Sequence, residues 1–130
     1  MQKTPEQKRK EEIIQYRKKC QRILEISKSV RYAGLINEYG ITLTGILKPG
    51  LTTLLSRESA RNEFFLVSTL LTMRNKTSLA LGKMDHVVFR HEKVTIIVFQ
   101  RKEGTYYISI NKNTPPNVVV QIMLKIKKII

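Results

Sequence analysis

The sequence predicts an α+β domain: one five-stranded antiparallel sheet with helices on both faces, in the order α-β-β-α-β-β-β-α. Three observations predict it. At 130 residues, 42% hydrophobic and 26% charged, the chain has the size and composition of one globular domain with one core. Apolar residues recur every three to four positions in some stretches and every two positions in others, which are the periods of helix and strand. Short polar turns join the stretches of period two, as in hairpins.

The first helix starts at Thr4. Thr4-Pro5-Glu6-Gln7 combines a capping hydroxyl, a proline at the first helical position and a glutamine three residues on, as in a capping box. Nothing breaks a helix from there to about residue 29. Ile13, Tyr16, Cys20, Ile23, Leu24 and Ser27 form its buried stripe. The opening turns hold no apolar residue, so residues 1–11 read as a basic extension, helical or frayed. A single domain then spans 12–130.

Residues 30–36 form an apolar run, and Asn37-Glu38-Tyr39-Gly40 has turn residues at its ends. Residues 41–47 alternate, with Ile41, Leu43 and Gly45 on one face and Thr42, Thr44 and Ile46 on the other. Together they predict a hairpin, closed by Lys48-Pro49-Gly50. Residues 51–81 read as mainly helical, capped by Ser56 or Ser59 and ended at Gly82. Phe64, Val67, Ser68 and Leu71 share one face of that helix. Phe65, Leu66, Leu70 and Met73 cover the neighbouring arc. A helix apolar on two sides needs cover on two sides. The sheet supplies one cover; a second subunit or a loop of the same chain supplies the other.

After Gly82 the period changes to two, predicting strands over 84–91, 93–100 and 105–111. Val94, Ile96 and Val98 share one face, and Thr95, Ile97 and Phe99 the other, as for a central strand covered on both sides. Thr114-Pro115-Pro116-Asn117 opens the last helix, with Thr114 as its cap. Val119, Ile122, Met123, Ile126 and Ile130 form its apolar stripe, opposite Gln121, Lys125 and Lys128. The two terminal helices are expected on one face of the sheet and the central helix on the other.

Charge bears on partners. Lys and Arg number 24 against 10 Asp and Glu, a net +14. A field of that sign draws phosphates and acidic surfaces. Lys8, Arg9, Lys10, Arg17, Lys18, Lys19 and Arg22 are the candidate contacts for an anionic partner, nucleic acid included. The plain alternative is a solvated basic face. Tyr106, Tyr107, Phe89 and Phe99 lie on strands, yet base stacking needs an open sheet, and helices on both faces deny it. The order also departs from the βαββαβ pattern of the RNA-recognition fold. A membrane-surface role ranks lower, because the first turns offer no side chains to insert.

No apolar run of about 18 residues predicts a membrane span. The polar N-terminus does not read as a secretory signal, and a single cysteine, Cys20, forms no intrachain disulfide. A cytoplasmic protein is expected.

Catalytic chemistry is sparse. The chain holds no phosphate-binding loop, no dinucleotide fingerprint and no Gly-x-Ser-x-Gly elbow. Gly40 and Gly45 read as turn and close-packing residues. Cys20 on an apolar stripe reads as a structural thiol. His86 and His91 have an odd separation, which puts them on opposite faces of a continuous strand and denies a strand-borne metal pair. Asp85 is the only aspartate. No enzyme, cofactor or metal is expected.

Several segments carry a family resemblance. Val30-Arg31-Tyr32-Ala33-Gly34-Leu35-Ile36-Asn37 with Gly40 and Gly45, then Leu81-Gly82-Lys83 and Arg90-His91-Glu92-Lys93-Val94, resemble small archaeal proteins of the roadblock branch of the profilin-like folds. The resemblance covers about residues 12–130. It implies a homodimer, paired through the central helix (about 59–79) and the third strand (about 84–91) so that two sheets join. Phe65, Leu66, Leu70, Met73, Val87 and Phe89 would then form the interface. It further implies a non-enzymatic scaffold or regulator whose partner class includes small GTPases.

Overall fold

The computed structural model describes residues 2–130. Its elements are α1 (Pro5–Leu24), β1 (Val30–Ile36), β2 (Thr42–Leu47), α2 (Arg57–Arg74), a 3-10 turn (Asn75–Thr77), α3 (Ser78–Leu81), β3 (Val87–Arg90), β4 (Val94–Arg101), β5 (Gly104–Asn111) and α4 (Pro116–Ile129). The strands form one antiparallel sheet in the order β2-β1-β5-β4-β3. The predicted class and order are those observed. β1 lies beside β5, so the first hairpin and the later meander join at the centre, leaving β2 and β3 as edges.

Alternation along the strands divides the sheet into two faces. Ala33 and Leu35 of β1, Ile97 and Phe99 of β4, and Tyr106, Ile108 and Ile110 of β5 meet α1 and α4 in the larger core. Cys20, Ile23 and Leu24 of α1 and Val119, Ile122 and Ile126 of α4 close it from above. On the other face Tyr107, Ile96 and Val98 meet Val67 and Leu71 of α2. Fully burying one aliphatic side chain is worth roughly 1.5–3 kcal/mol, so the first face holds most of the fold's apolar stabilisation.

Local chemistry sets the ends of the elements. The Thr4 capping box forms in both directions: Gln7 N donates to Thr4 Oγ1 at 3.1 Å, and Thr4 N donates to Gln7 Oε1 at 2.9 Å. The helix ends at Leu24, earlier than the sequence predicts, and Ser27 lies in the following turn. Ser56, not Ser59, caps α2, accepting from Ser59 N at 3.1 Å. Residues 51–56, predicted helical, are irregular instead, with Leu54 and Leu55 exposed. Arg31 of β1 ties this stretch to the sheet by donating to the Thr52 carbonyl at 3.2 Å. The predicted cap Thr114 is displaced by Pro115, which makes no side-chain bond to α4; the buried Thr114 hydroxyl has no hydrogen-bond partner among the described residues.

Two strand predictions change. Leu43 and Ile46, expected on opposite faces, both pack on the larger core. The β1–β2 register skips Leu43, pairing Leu35 with Thr44 and Ile36 with Thr42. This bulge turns Leu43 to the same side. The third strand is shorter than 84–91: pairing with β4 runs only from Val87 to Arg90, and Asp85, before it, pairs with Lys127 of α4 at 2.9 Å.

Glycine is required where backbones crowd. Gly40 has φ +81°, and a Cβ there would lie 2.7 Å from the Phe65 backbone. The β1–β2 turn thus presses against α2 through a residue without a side chain. Gly34 and Gly45 face each other across β1 and β2. The Tyr32 ring lies over both, its Cε1 2.8 Å from where a Gly34 Cβ would stand and its Cζ 2.9 Å from the Gly45 equivalent.

Candidate functional site

α2 is amphipathic towards the sheet but not towards solvent. Val67, Ser68 and Leu71 are buried beneath it. On the opposite arc Phe65 is 57% exposed, Leu66 62%, Leu70 40% and Met73 60%. Past the helix, Leu79 and Leu81 are exposed as well. Exposed apolar side chains arranged contiguously mark an interaction surface, whereas scattered ones need no explanation. On the sheet itself, β3 has a hydrogen-bonded neighbour on one side only, β4. An open edge of four residues is a template for another strand.

The six residues expected at a dimer interface fall into two groups. Phe65, Leu66, Leu70 and Met73 lie on the outer arc of α2. Val87 and Phe89 are half-buried on β3 and pack with the smaller core, under α2. Between them Val88 points to the other face of the sheet and is 41% exposed, so apolar side chains flank both sides of the β3 edge.

Beneath the N-terminal half of α2 lies an aromatic trio. The Phe64 ring stacks on Tyr32 with centroids 6.4 Å apart and meets Tyr107 edge-on at 4.9 Å. Tyr107 donates to Glu63 Oε2 at 2.8 Å. Burial first, and then this bond to a carboxylate, pushes the Tyr107 hydroxyl far above its usual range. Burial also pushes Tyr32 up to about 12. Next to the trio a cleft of about 510 Å³ opens between α2, residues 51–56 and the sheet. The helical cover of this face is therefore partial, where the sequence predicts a face covered by the central helix. Thr53, Leu54 and Leu55 of the irregular stretch line the cleft.

The basic candidates are spread along α1. Lys8, Arg9, Lys10, Arg17, Lys18 and Arg22 are exposed, and Lys19 is half-buried. Three of them are engaged. Arg9 pairs with Glu12 at 3.5 Å, Lys19 with Glu103 at 3.2 Å, and Arg17 donates to Thr44 Oγ1 at 3.5 Å. Lys8, Lys10, Lys18 and Arg22 make no ion pair among the described residues.

The histidines do not share a strand. His86 precedes β3 and His91 follows it, because pairing with β4 covers only Val87–Arg90. His86 Nδ1 lies 2.8 Å from Asp85 Oδ2. Hydrogen bonds from His86 and Lys127 hold the Asp85 carboxyl below its ordinary range. Among the described residues no three His, Cys, Asp or Glu side chains converge. Burial pushes the Cys20 thiol up to about 11 against a smaller lowering by Arg17, so at neutral pH it stays a protonated core side chain. No described helix is long and apolar enough to cross a membrane.

The fold matches solved roadblock/LC7 structures. The gliding protein MglB of Thermus thermophilus superposes with a TM-score of 0.70 at 13% identity, over 90% of this chain and 86% of that one. A structure of MglB in a tetrameric arrangement superposes at 0.67 with 15% identity, over 89% and 82%. The roadblock/LC7 domain from Streptomyces avermitilis gives 0.61 at 14% identity, over 85% and 89%. Identities this low establish the fold and leave the function to this chain's own surface. No family model and no curated protein sequence matches the chain.

Proposed function

We propose that this chain is a non-enzymatic protein-interaction module that pairs as a homodimer through α2 and β3 and serves as a scaffold or regulator, with a small GTPase as the partner class. Two observations carry the reading: the outer arc of α2 exposes Phe65, Leu66, Leu70 and Met73, and β3 is an open edge of the sheet that α2 covers. Two copies related by a twofold axis bury the same stripe on each other, and two β3 edges extend one sheet into the next. The roadblock fold, and an MglB structure in a tetrameric arrangement, support assembly as its mode of action. The GTPase rests on the resemblance alone. Sedimentation equilibrium tests the pairing. The wild-type chain is expected at twice its 15.1 kDa mass, and Phe65→Glu at the monomer mass with an unchanged circular-dichroism spectrum. A wild-type monomer at high concentration overturns it.

A second reading is phosphate-directed nucleic-acid binding through α1, favoured by the four exposed cations there without ion pairs. It predicts affinity that falls about tenfold or more between 50 and 200 mM salt and weakens when Lys8, Lys10, Lys18 and Arg22 become alanine. Absence of binding to duplex or single-stranded probes at low salt refutes it.

A further inference from the structure

We propose that the cleft beside the aromatic trio is a binding site for a neutral, apolar small molecule. Its volume, about 510 Å³, lies within the range of sites that enclose a drug-sized ligand. Its surroundings come from three separate parts of the chain. Val94, Ile96 and Tyr107 of the sheet make the floor, Phe64 of α2 makes one wall, and Leu54 and Leu55 make the lip. These are carbon surfaces, so the favourable term for an occupant is apolar burial.

The charges at the rim decide the ligand's class. Arg31 and Lys93 are matched in number by Glu63 and Glu92. Arg31 is already committed to Asn111 Oδ1 at 3.3 Å and to the Thr52 carbonyl at 3.2 Å. Glu63 already accepts from Tyr107. A phosphate or carboxylate therefore meets no surplus of positive charge, despite the net charge of the whole chain. An ionic ligand would exchange its hydration for rim charges that balance in number, whereas a neutral one has little hydration to lose.

Two further features favour a small molecule over a second copy of the chain. The cleft lies on the sheet side of α2, whereas the exposed stripe lies on the opposite side. Phe65, Leu66, Leu70 and Met73 take no part in lining it, so pairing through that stripe leaves the cleft accessible. The lip is also held open. The bond from Arg31 to the Thr52 carbonyl and the turn from Leu51 N to the Lys48 carbonyl at 3.2 Å fix the approach to Leu54 and Leu55. Those leucines stay exposed instead of collapsing onto the floor.

The test titrates the full-length chain with N-phenyl-1-naphthylamine, a neutral apolar fluorophore. Saturable enhancement with one site per chain is expected. Ala60→Trp, which puts an indole into the cleft from α2, should weaken the apparent affinity at least tenfold. Leu55→Asp, at an exposed position that does not threaten folding, should weaken it several-fold. Phe65→Glu should leave it within twofold, whatever it does to the oligomeric state, so failure of the pairing and failure of the site are separable. Unsaturable signal, loss of binding in Phe65→Glu, or no response to both cleft variants overturns the proposal.

Discussion

Neighbouring tyrosines on β5 show how differently the two faces of the sheet are finished. Tyr106 points into the larger core and donates to Glu103 at 2.7 Å; Tyr107 points under α2 and donates to Glu63 at 2.8 Å. The local chemistry is the same, a phenol on a carboxylate. The surroundings are not. Glu103 is held as well by Lys19 of α1 at 3.2 Å, and two helices close over Tyr106. Glu63 makes no ion pair among the described residues, and Tyr107 borders an open cleft. One face is completed for stability. The other retains unused apolar surface, which is what an interacting face requires.

Substitutions can break that contrast, and the largest effect is expected in the closed core. Ile108→Ala removes a fully buried side chain and should cost about 2–5 kcal/mol. Val67→Ala, on the thinner side, should cost clearly less in urea denaturation, because it removes two carbons instead of three from a smaller buried cluster. Equal costs would show that the α2 face is as tightly built as the other. Next come the tyrosines. Tyr106→Phe strips a half-buried carboxylate of one donor and should cost about 1–2 kcal/mol. Tyr107→Phe should cost less, since water in the cleft can replace the lost donor. The smallest effect concerns pH. Burial tends to raise the Glu103 carboxyl, but hydrogen bonds from Tyr106, its own backbone amide and Lys19 outweigh it and hold the group below its ordinary range. Its folded value is thus lower than its unfolded one. The stabilisation is complete above about pH 4.3 and is lost as pH falls through the depressed value. Urea midpoints should fall less on acidification in Glu103→Gln than in the wild type.

Element order was legible because alternation and helical spacing are local signals. The capping box at Thr4 and the division of β4 into Ile96/Val98 and Ile97/Phe99 faces read directly from residue spacing. The apolar outer arc of α2 was legible for the same reason, since Phe65, Leu66, Leu70 and Met73 fall together at helical spacing. What escaped depends on partners distant in sequence. Leu51, Leu54 and Leu55 carry helical spacing, yet Arg31 and the preceding Pro49-Gly50 turn hold that stretch irregular. The long third strand was not legible: pairing with β4 begins only at Val87, and Asp85 instead meets Lys127, far along the chain. The cleft gathers residues from Arg31 to Ser109; concavity between remote segments leaves no periodic trace.

The Gly34–Gly45 pair has an effect reaching beyond the sheet. Because neither position carries a Cβ, the Tyr32 ring reclines on the backbone instead of standing upright, and Phe64 rests on that ring. The elevation of α2 is therefore fixed from underneath by two missing methyl groups. An alanine at either glycine would raise the tyrosine, tilt the helix and reposition its outer stripe, altering what the molecule can grip without changing any residue on its surface.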